Sequence, residues 1–124
     1  MENTQELLDA VNIYFDAMHH CDVNLMDQIF HPNSSLFDAD QGKIFVEPIM
    51  SFRTDVGGRK SPASIKQSRK DEILLIDYLS KDCALVKIRL QAHEKIFVDH
   101  LCLVRGQEGW RIVSKVWHLE RSDG

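Results

Sequence analysis

With 124 residues, the chain can bury one hydrophobic core and is too short for two ordinary domains, so we expect residues 1–124 to form a single domain. Its formal net charge of −4 argues against a general nucleic-acid-binding protein. Nor does any apolar run approach the roughly 18 residues that would predict a membrane-spanning helix.

Cysteine and histidine usage gives no sign of a disulfide framework or a metal site. Cys21, Cys83 and Cys102 are odd in number and show no CxxC spacing. His19 and His20 are neighbours on a predicted helix and therefore face different directions. We expect no metal and no cofactor. Because the first residues are polar and acidic, a reducing cytoplasm is the expected location.

The first predicted helix presents one apolar stripe. It begins near Thr4 as a candidate N-cap and stops around residues 19–21. Apolar side chains recur at the spacing of a single buried face, namely at Leu7, Val11, Tyr14, Phe15 and Met18. Because Tyr14 lies on this stripe, its hydroxyl is expected to point inward and to require a hydrogen-bond partner.

Two shorter helices are expected to follow. Asp22 is a candidate cap for a helix over residues 24–30, which Pro32 ends. A third helix opens at residues 47–48 and ends at residues 57–58.

Strand signals occupy most of the remaining chain. Alternating patterns and turn residues predict strands at residues 34–40, 43–46, 66–79, 83–92, 96–105 and 110–119. Since the helices come mostly before the long strands, the expected fold class is α+β, with three N-terminal helices packed on one face of a curved antiparallel sheet.

Asp99 is the most informative residue, because it is a carboxylate on an apolar stripe. One face of the strand at 96–105 carries Phe97, Asp99, Leu101 and Leu103. A carboxyl group in such surroundings is desolvated, which favours the neutral acid that can donate a hydrogen bond. The alternative is a purely structural aspartate that is satisfied by Tyr14 or by backbone groups.

The turns on either side of this strand predict which residues lie opposite Asp99. A two-residue turn at 93–94 places Asp99 opposite Ile88, and the turn at 106–109 pairs Arg105 with Trp110. The first hairpin also pairs Leu101 with Val86 and Phe97 with Leu90. The second pairs Asp99 with Val116, Leu101 with Ser114 and Phe97 with His118. No Lys or Arg is therefore expected beside Asp99 on its face.

The opposite face of the last hairpin is expected to be free of helices. It is largely apolar and includes a tryptophan, which indicates a partner sheet and hence a homodimer. The residues predicted for this dimer face are Val98, His100, Cys102, Val113, Lys115 and Trp117.

Three stretches carry a resemblance to a known superfamily. FHPNSSL at residues 30–36 is similar to the opening of the first strand in the nuclear transport factor 2-like superfamily. DHLCL at 99–103 and GWRIVSKVW at 109–117 are similar to its closing hairpin. The closing pattern is most similar to a SnoaL-like subgroup labelled "putative lumazine-binding". The resemblance implies a cone in which helices close a pocket over a concave sheet, usually in a homodimer.

The N-terminal third also resembles ketosteroid isomerase. The resemblance implies catalytic roles for Tyr14 and a protonated Asp99 in an oxyanion hole, with Asp38 as the base. Two positions depart from that pattern. Ala39 replaces the proline after the base, and His118 replaces an aromatic wall residue, which suits a planar heterocycle or a polar acid better than a steroid.

Two functions are therefore carried forward. The first is binding of a small molecule, for which a planar lumazine-like heterocycle is a candidate. The alternative is a proton-transfer isomerase or dehydratase that uses Asp38, Tyr14 and Asp99. Besides these three residues, the predicted pocket is lined by Phe30, Ile88, Leu90, Phe97, Leu101, Ser114, Val116 and His118.

Overall fold

The predicted helices form, with bounds close to those expected. In a computed structural model that describes residues 4–122, the apolar stripe of the first helix is buried from Leu7 to Phe15, including Tyr14, and Met18 is half-buried. Asp22 caps the second helix by accepting hydrogen bonds from the backbone N–H groups of Asn24 and Leu25 at 2.9 and 3.2 Å. The helices are α1 (Thr4–His20), α2 (Val23–Ile29) and α3 (Ile49–Gly57), and a short 3₁₀ helix spans Ala63–Ile65.

The strands form one six-stranded sheet in the order β2-β1-β6-β5-β4-β3. Neighbouring strands are antiparallel except β1 and β6, which are parallel. The α+β prediction of three helices on a curved sheet is confirmed. The strands are β1 (Phe30–Asp38), β2 (Phe45–Pro48), β3 (Asp71–Ser80), β4 (Cys83–Ala92), β5 (Lys95–Gly106) and β6 (Gly109–Ser122).

The register predicted for β4 and β5 is confirmed. Ala92 pairs with Lys95, and Asp99 lies opposite Ile88. The two-residue turn fixes this register, and no irregularity interrupts the ladder.

The register predicted for β5 and β6 is correct only near the turn. Arg105 pairs with Trp110 as expected, but Leu103 pairs with Ile112 and Cys102 with Ser114. One residue of β6, Val113, is therefore extra, which is a β-bulge. Beyond the bulge the predicted pairs are wrong by one residue. Asp99 lies opposite Trp117, Leu101 opposite Lys115 and Phe97 opposite Leu119.

The bulge exchanges the two faces of the outer part of β6, because a shift of one residue turns every following side chain over. Lys115 and Leu36 are paired on the face that the helices cover, and both are buried. Val116 is on the outer face and is 48% exposed. The prediction that Ser114 and Val116 face the helices is therefore wrong.

The core lies between the helices and the inner face of the sheet. It includes Phe30, Ile88 and Leu101 together with the apolar stripe of α1. Within residues 4–122, no helix combines the length and the apolar character needed to cross a membrane.

Candidate functional site

A cavity of about 600 Å³ lies between the helices and the sheet, where the faces of β5 and β6 meet α1 and α3. This volume falls within the range of about 300–1,000 Å³ that is typical of ligand pockets. Its walls mix aromatic, aliphatic and charged side chains. They are Tyr14, Met18, Leu36, Asp40, Gln41, Glu47, Phe52, Arg59, Leu90, Lys95, Phe97, Asp99, Lys115, Trp117, His118 and Leu119.

Tyr14 and Asp99 form a buried hydrogen-bonded pair in the cavity wall. The Tyr14 hydroxyl donates to Asp99 Oδ2 at 2.6 Å. Burial raises the pKa of Tyr14 well above its ordinary value, and the Asp99 carboxylate adds to this shift, so the phenol remains protonated. Asp99 is 1% exposed, and its other oxygen, Oδ1, has no hydrogen-bond partner among the described residues.

Lys115 is the buried cation of the site. Its Nζ lies 3.8 Å from Asp99 Oδ2, close enough for an ion pair and too far for a hydrogen bond. The same atom lies 4.6 Å from the ring centre of Phe52 and 5.2 Å from that of Tyr14. Burial lowers the pKa of Lys115, although the Asp99 carboxylate opposes this shift.

The position of Lys115 corrects an expectation about Asp99. The neutral acid was expected because no cation was predicted on the same face. The bulge at Val113 brings Lys115 onto that face, so this premise is wrong.

Aromatic side chains line two sides of the cavity. Phe97 and Trp117 pack edge to face with their ring centres 5.8 Å apart. On the helix side, the guanidinium of Arg59 lies 5.4 Å from the centre of the Phe52 ring.

The mouth of the cavity carries carboxylates and an imidazole. His118 is largely exposed, and its Nδ1 lies 2.7 Å from Asp40 Oδ1. Asp40 also accepts a hydrogen bond from the backbone N–H of Leu119 at 2.9 Å, and this bond and His118 lower the pKa of Asp40. Burial and the neighbouring Asp55 carboxyl raise the pKa of Glu47, which lines the cavity above α3.

The structure brings only part of the predicted pocket together. Five of the predicted residues line the cavity, namely Tyr14, Leu90, Phe97, Asp99 and His118. Phe30, Ile88 and Leu101 are buried in the core instead, and Phe30 packs against the Tyr14 ring. Ser114 and Val116 lie on the outer face because of the bulge. For the same reason Lys115 and Trp117, which were predicted for the dimer face, line the cavity.

Asp38, the predicted base, is not among the described residues that line the cavity. It is 7% exposed, and its Oδ2 accepts a hydrogen bond from the backbone N–H of Asp40 at 3.1 Å. This contact stabilises the turn after β1. The structure therefore does not bring Asp38 together with Tyr14 and Asp99 at one ligand position.

The other eleven lining residues were not predicted for the pocket, and they include Phe52, Arg59, Glu47 and the cavity-facing Lys115. A signal for Lys115 exists in β6. The large apolar residues Trp110 and Ile112 are in one phase of the strand, whereas Trp117 and Leu119 are in the other. This phase change indicates a bulge between them. Across residues 4–122, no group of His, Cys, Asp and Glu side chains is arranged to hold a metal ion.

Comparisons with known proteins agree on the fold. A family model described as "Putative lumazine-binding" matches residues 2–118. A nuclear transport factor 2-like protein of unknown function from Silicibacter pomeroyi DSS-3 is 21% identical, with a TM-score of 0.84 over 96% of this chain and 97% of that one. A second, from Shewanella baltica OS155, is 20% identical, with a TM-score of 0.85 over 98% and 96%.

A more distant similarity gives the same architecture. A cystatin-like fold protein from Burkholderia xenovorans LB400 is 16% identical, with a TM-score of 0.70 over 94% of each chain. No protein with a curated description matches this sequence. The nuclear transport factor 2-like fold expected from the resemblance is confirmed.

Proposed function

The chain belongs to the family described as "Putative lumazine-binding", and from this membership and its cavity we propose that it binds a planar heterocycle with a carbonyl edge. Lumazine, a planar bicyclic ring system with carbonyl oxygens, is the compound to test first. The proposal concerns binding and assigns no reaction.

The observation that carries the proposal is the Lys115 ammonium in the cavity wall. Its ion-pair partner, Asp99 Oδ2, lies at 3.8 Å, which is beyond hydrogen-bond distance, so a ligand acceptor could approach the ammonium more closely. A ligand carbonyl oxygen would supply that acceptor. The ring system of such a ligand would pack on Phe97 and Trp117, which form an aromatic wall of the same cavity.

Trp117 provides the measurement, because it lines the cavity whereas Trp110 is buried in the core. Titration with lumazine should change the tryptophan fluorescence of the wild-type protein. Lys115→Met should weaken binding by roughly 10- to 100-fold, as expected for the loss of a hydrogen bond to a charged donor worth about 1.5–3 kcal/mol. Trp117→Phe should remove most of the fluorescence change.

Lys70→Met is the matched control, since Lys70 is exposed and lies outside the cavity wall. It should bind lumazine like the wild-type protein. If lumazine gives neither a fluorescence change nor a rise in melting temperature at saturating concentration, the choice of ligand class is wrong.

We also propose that two copies associate through the outer face of the sheet. Phe37 pairs with Val46 on one side and with Val116 on the other, so these three form an apolar row across β2, β1 and β6. Val46 and Val116 are about half exposed, at 51% and 48%. Of the residues predicted for a dimer face, Val98, His100, Cys102 and Val113 stay in this proposal.

The proton-transfer alternative has less support. The Tyr14–Asp99 pair faces the cavity, but the hydroxyl proton of Tyr14 is directed at Asp99 and Asp38 lies outside the cavity wall. A base for such a reaction would have to come from the carboxylates that do line it, of which Glu47 is one. Turnover of a cyclic ketone that persists in Asp38→Asn would exclude Asp38 as the base.

A cytoplasmic location also stays a proposal. Its support is that Cys21, Cys83 and Cys102 are all free thiols, as is usual in a reducing compartment.

A further inference from the structure

The Lys115 amine has surroundings that are uncommon for a lysine. Its side chain is 8% exposed, and it reaches the cavity between the rings of Phe52 and Tyr14. Most lysines keep the ammonium group in water and bury only the stem. Here the nitrogen itself lies in the wall of a ligand-sized cavity.

The neighbouring charges only partly offset the cost of burying a positive charge on this nitrogen. Asp99 is the one carboxylate in ion-pair range within the described residues, and it already accepts a hydrogen bond from Tyr14 on the same oxygen. Glu47 also favours the charged amine, whereas Arg59 opposes it. Burial is the largest influence, and it lowers the pKa of Lys115, which increases the fraction of neutral amine at a given pH. The neutral amine is the nucleophilic form.

We propose that Lys115 forms a reversible imine with an aldehyde or ketone that enters the cavity. The inference rests on the same pocket as the proposed function and adds a covalent step to it. The amine nitrogen attacks the carbonyl carbon, and the carbonyl oxygen becomes a hydroxyl as the nitrogen loses a proton. Loss of that hydroxyl as water, with a second proton from nitrogen, gives the C=N bond without any oxidant or reductant.

Neighbouring groups can assist these proton transfers. Asp99 Oδ2 lies 3.8 Å from the amine and is a carboxylate oxygen that could take a proton from it. Tyr14 donates to the same oxygen and holds the carboxylate in place. Phe97 and Trp117 offer flat surfaces for a planar carbonyl compound, which favours aromatic aldehydes over branched aliphatic ones.

Reductive trapping tests this proposal on the intact protein. The folded chain is incubated with benzaldehyde and sodium cyanoborohydride at pH 7, and labelled lysines are then located by peptide mapping. Lys115 should gain one benzyl group several-fold faster than any lysine outside the cavity, because its nitrogen lies in the cavity wall and its lowered pKa increases the fraction of neutral amine. The exposed lysines outside the cavity wall serve as the internal comparison, and they are Lys43, Lys60, Lys66, Lys70 and Lys81.

Two variants sharpen the result. Lys115→Arg keeps the positive charge and cannot form an imine, so rapid labelling should be lost. Lys70→Arg should label like the wild-type protein, and circular dichroism should show both variants to be folded. If Lys115 reacts no faster than the exposed lysines, the proposal is overturned, and this result needs no variant.

The same preparation is titrated with lumazine, so that the two proposals can fail separately. Lumazine binding without selective labelling overturns the imine and leaves the proposed ligand class standing. Selective labelling without lumazine binding supports the imine and overturns the heterocycle. Slower labelling of Lys115 in the presence of bound lumazine would place both in one cavity.

Discussion

Lys115 and Asp99 are joined across β5 and β6 by a 3.8 Å ion pair that exists because one extra residue, Val113, is accommodated in β6. Lys115 lies opposite Leu101, and Trp117 lies opposite Asp99, so the pair is diagonal on the sheet. Without the bulge, Asp99 would face apolar neighbours and Lys115 would lie on the outer face. The bulge therefore places a positive charge in the cavity wall, where the Lys115 amine can contact a ligand.

The first prediction concerns the coupling between these two residues. Lys115→Met alone should destabilise the fold by about 3–5 kcal/mol, because it leaves the buried Asp99 without its cation. Adding Asp99→Asn to that variant should recover most of the loss, since the amide oxygen of the new side chain can still accept the Tyr14 hydrogen bond. Chemical denaturation of the wild-type protein, Lys115→Met, Asp99→Asn and the double variant should give a coupling energy of at least about 2 kcal/mol. Strictly additive effects would contradict the ion pair.

A second prediction concerns Tyr14. Tyr14→Phe removes the donor to Asp99 Oδ2 and should lower the free energy of unfolding by about 1–3 kcal/mol. The wild-type pKa of Tyr14 is raised above the unfolded value of 10.0, so its contribution is full below pH 10 and is lost as the pH rises further. Stability of the wild-type protein should therefore fall more steeply above pH 10 than that of Tyr14→Phe.

The absorbance difference between these two proteins measures the same group directly. Phenolate absorbance from Tyr14 should be missing from the native protein at pH 10 and should appear on unfolding. Native phenolate absorbance from Tyr14 at that pH would contradict a buried, hydrogen-bonded hydroxyl.

The sequence predicts the fold well because its signals are local. The stripe on α1, the Asp22 cap and the two-residue turn at 93–94 each depend on a few neighbouring residues, and all three are found. The placement of Lys115 depends on the bulge. Where a bulge forms depends on the pairing and packing of the whole of β6 and not on a few neighbouring residues. Counting residue pairs outward from the turn cannot reveal the bulge. The change in the alternation of large apolar residues between Ile112 and Trp117 does indicate it.

The residues of the cavity wall were likewise predicted only where the signal in the sequence is local. Asp99 and Tyr14 could be predicted to meet because both lie on buried stripes. Phe52 and Arg59 reach the cavity because α3 packs on β1, which is a tertiary contact between two separate elements. Such packing has no periodic signal in the sequence.

A third prediction tests the outer face of the sheet. Val116→Lys places a charge in the apolar row with Phe37 and Val46, and a charge in the centre of an interface opposes association. Light scattering should give the mass of a dimer for the wild-type protein and of a monomer for Val116→Lys. Leu79→Lys is the control, because Leu79 is 87% exposed at the end of β3 and should leave the dimer intact. A monomeric wild-type protein would rule out this interface.

The final prediction tests the bulge itself. Deleting Val113 removes the extra residue, so the chain beyond it either loses its pairing with β5 or turns Lys115 and Trp117 to the outer face. Both results should abolish the fluorescence response to lumazine and the selective labelling of Lys115, and melting should occur at a lower temperature. Val113→Thr keeps the number of residues and should preserve both the fluorescence response to lumazine and the selective labelling of Lys115. A deletion variant that still labels at Lys115 faster than at its exposed lysines would show that the bulge does not determine the site.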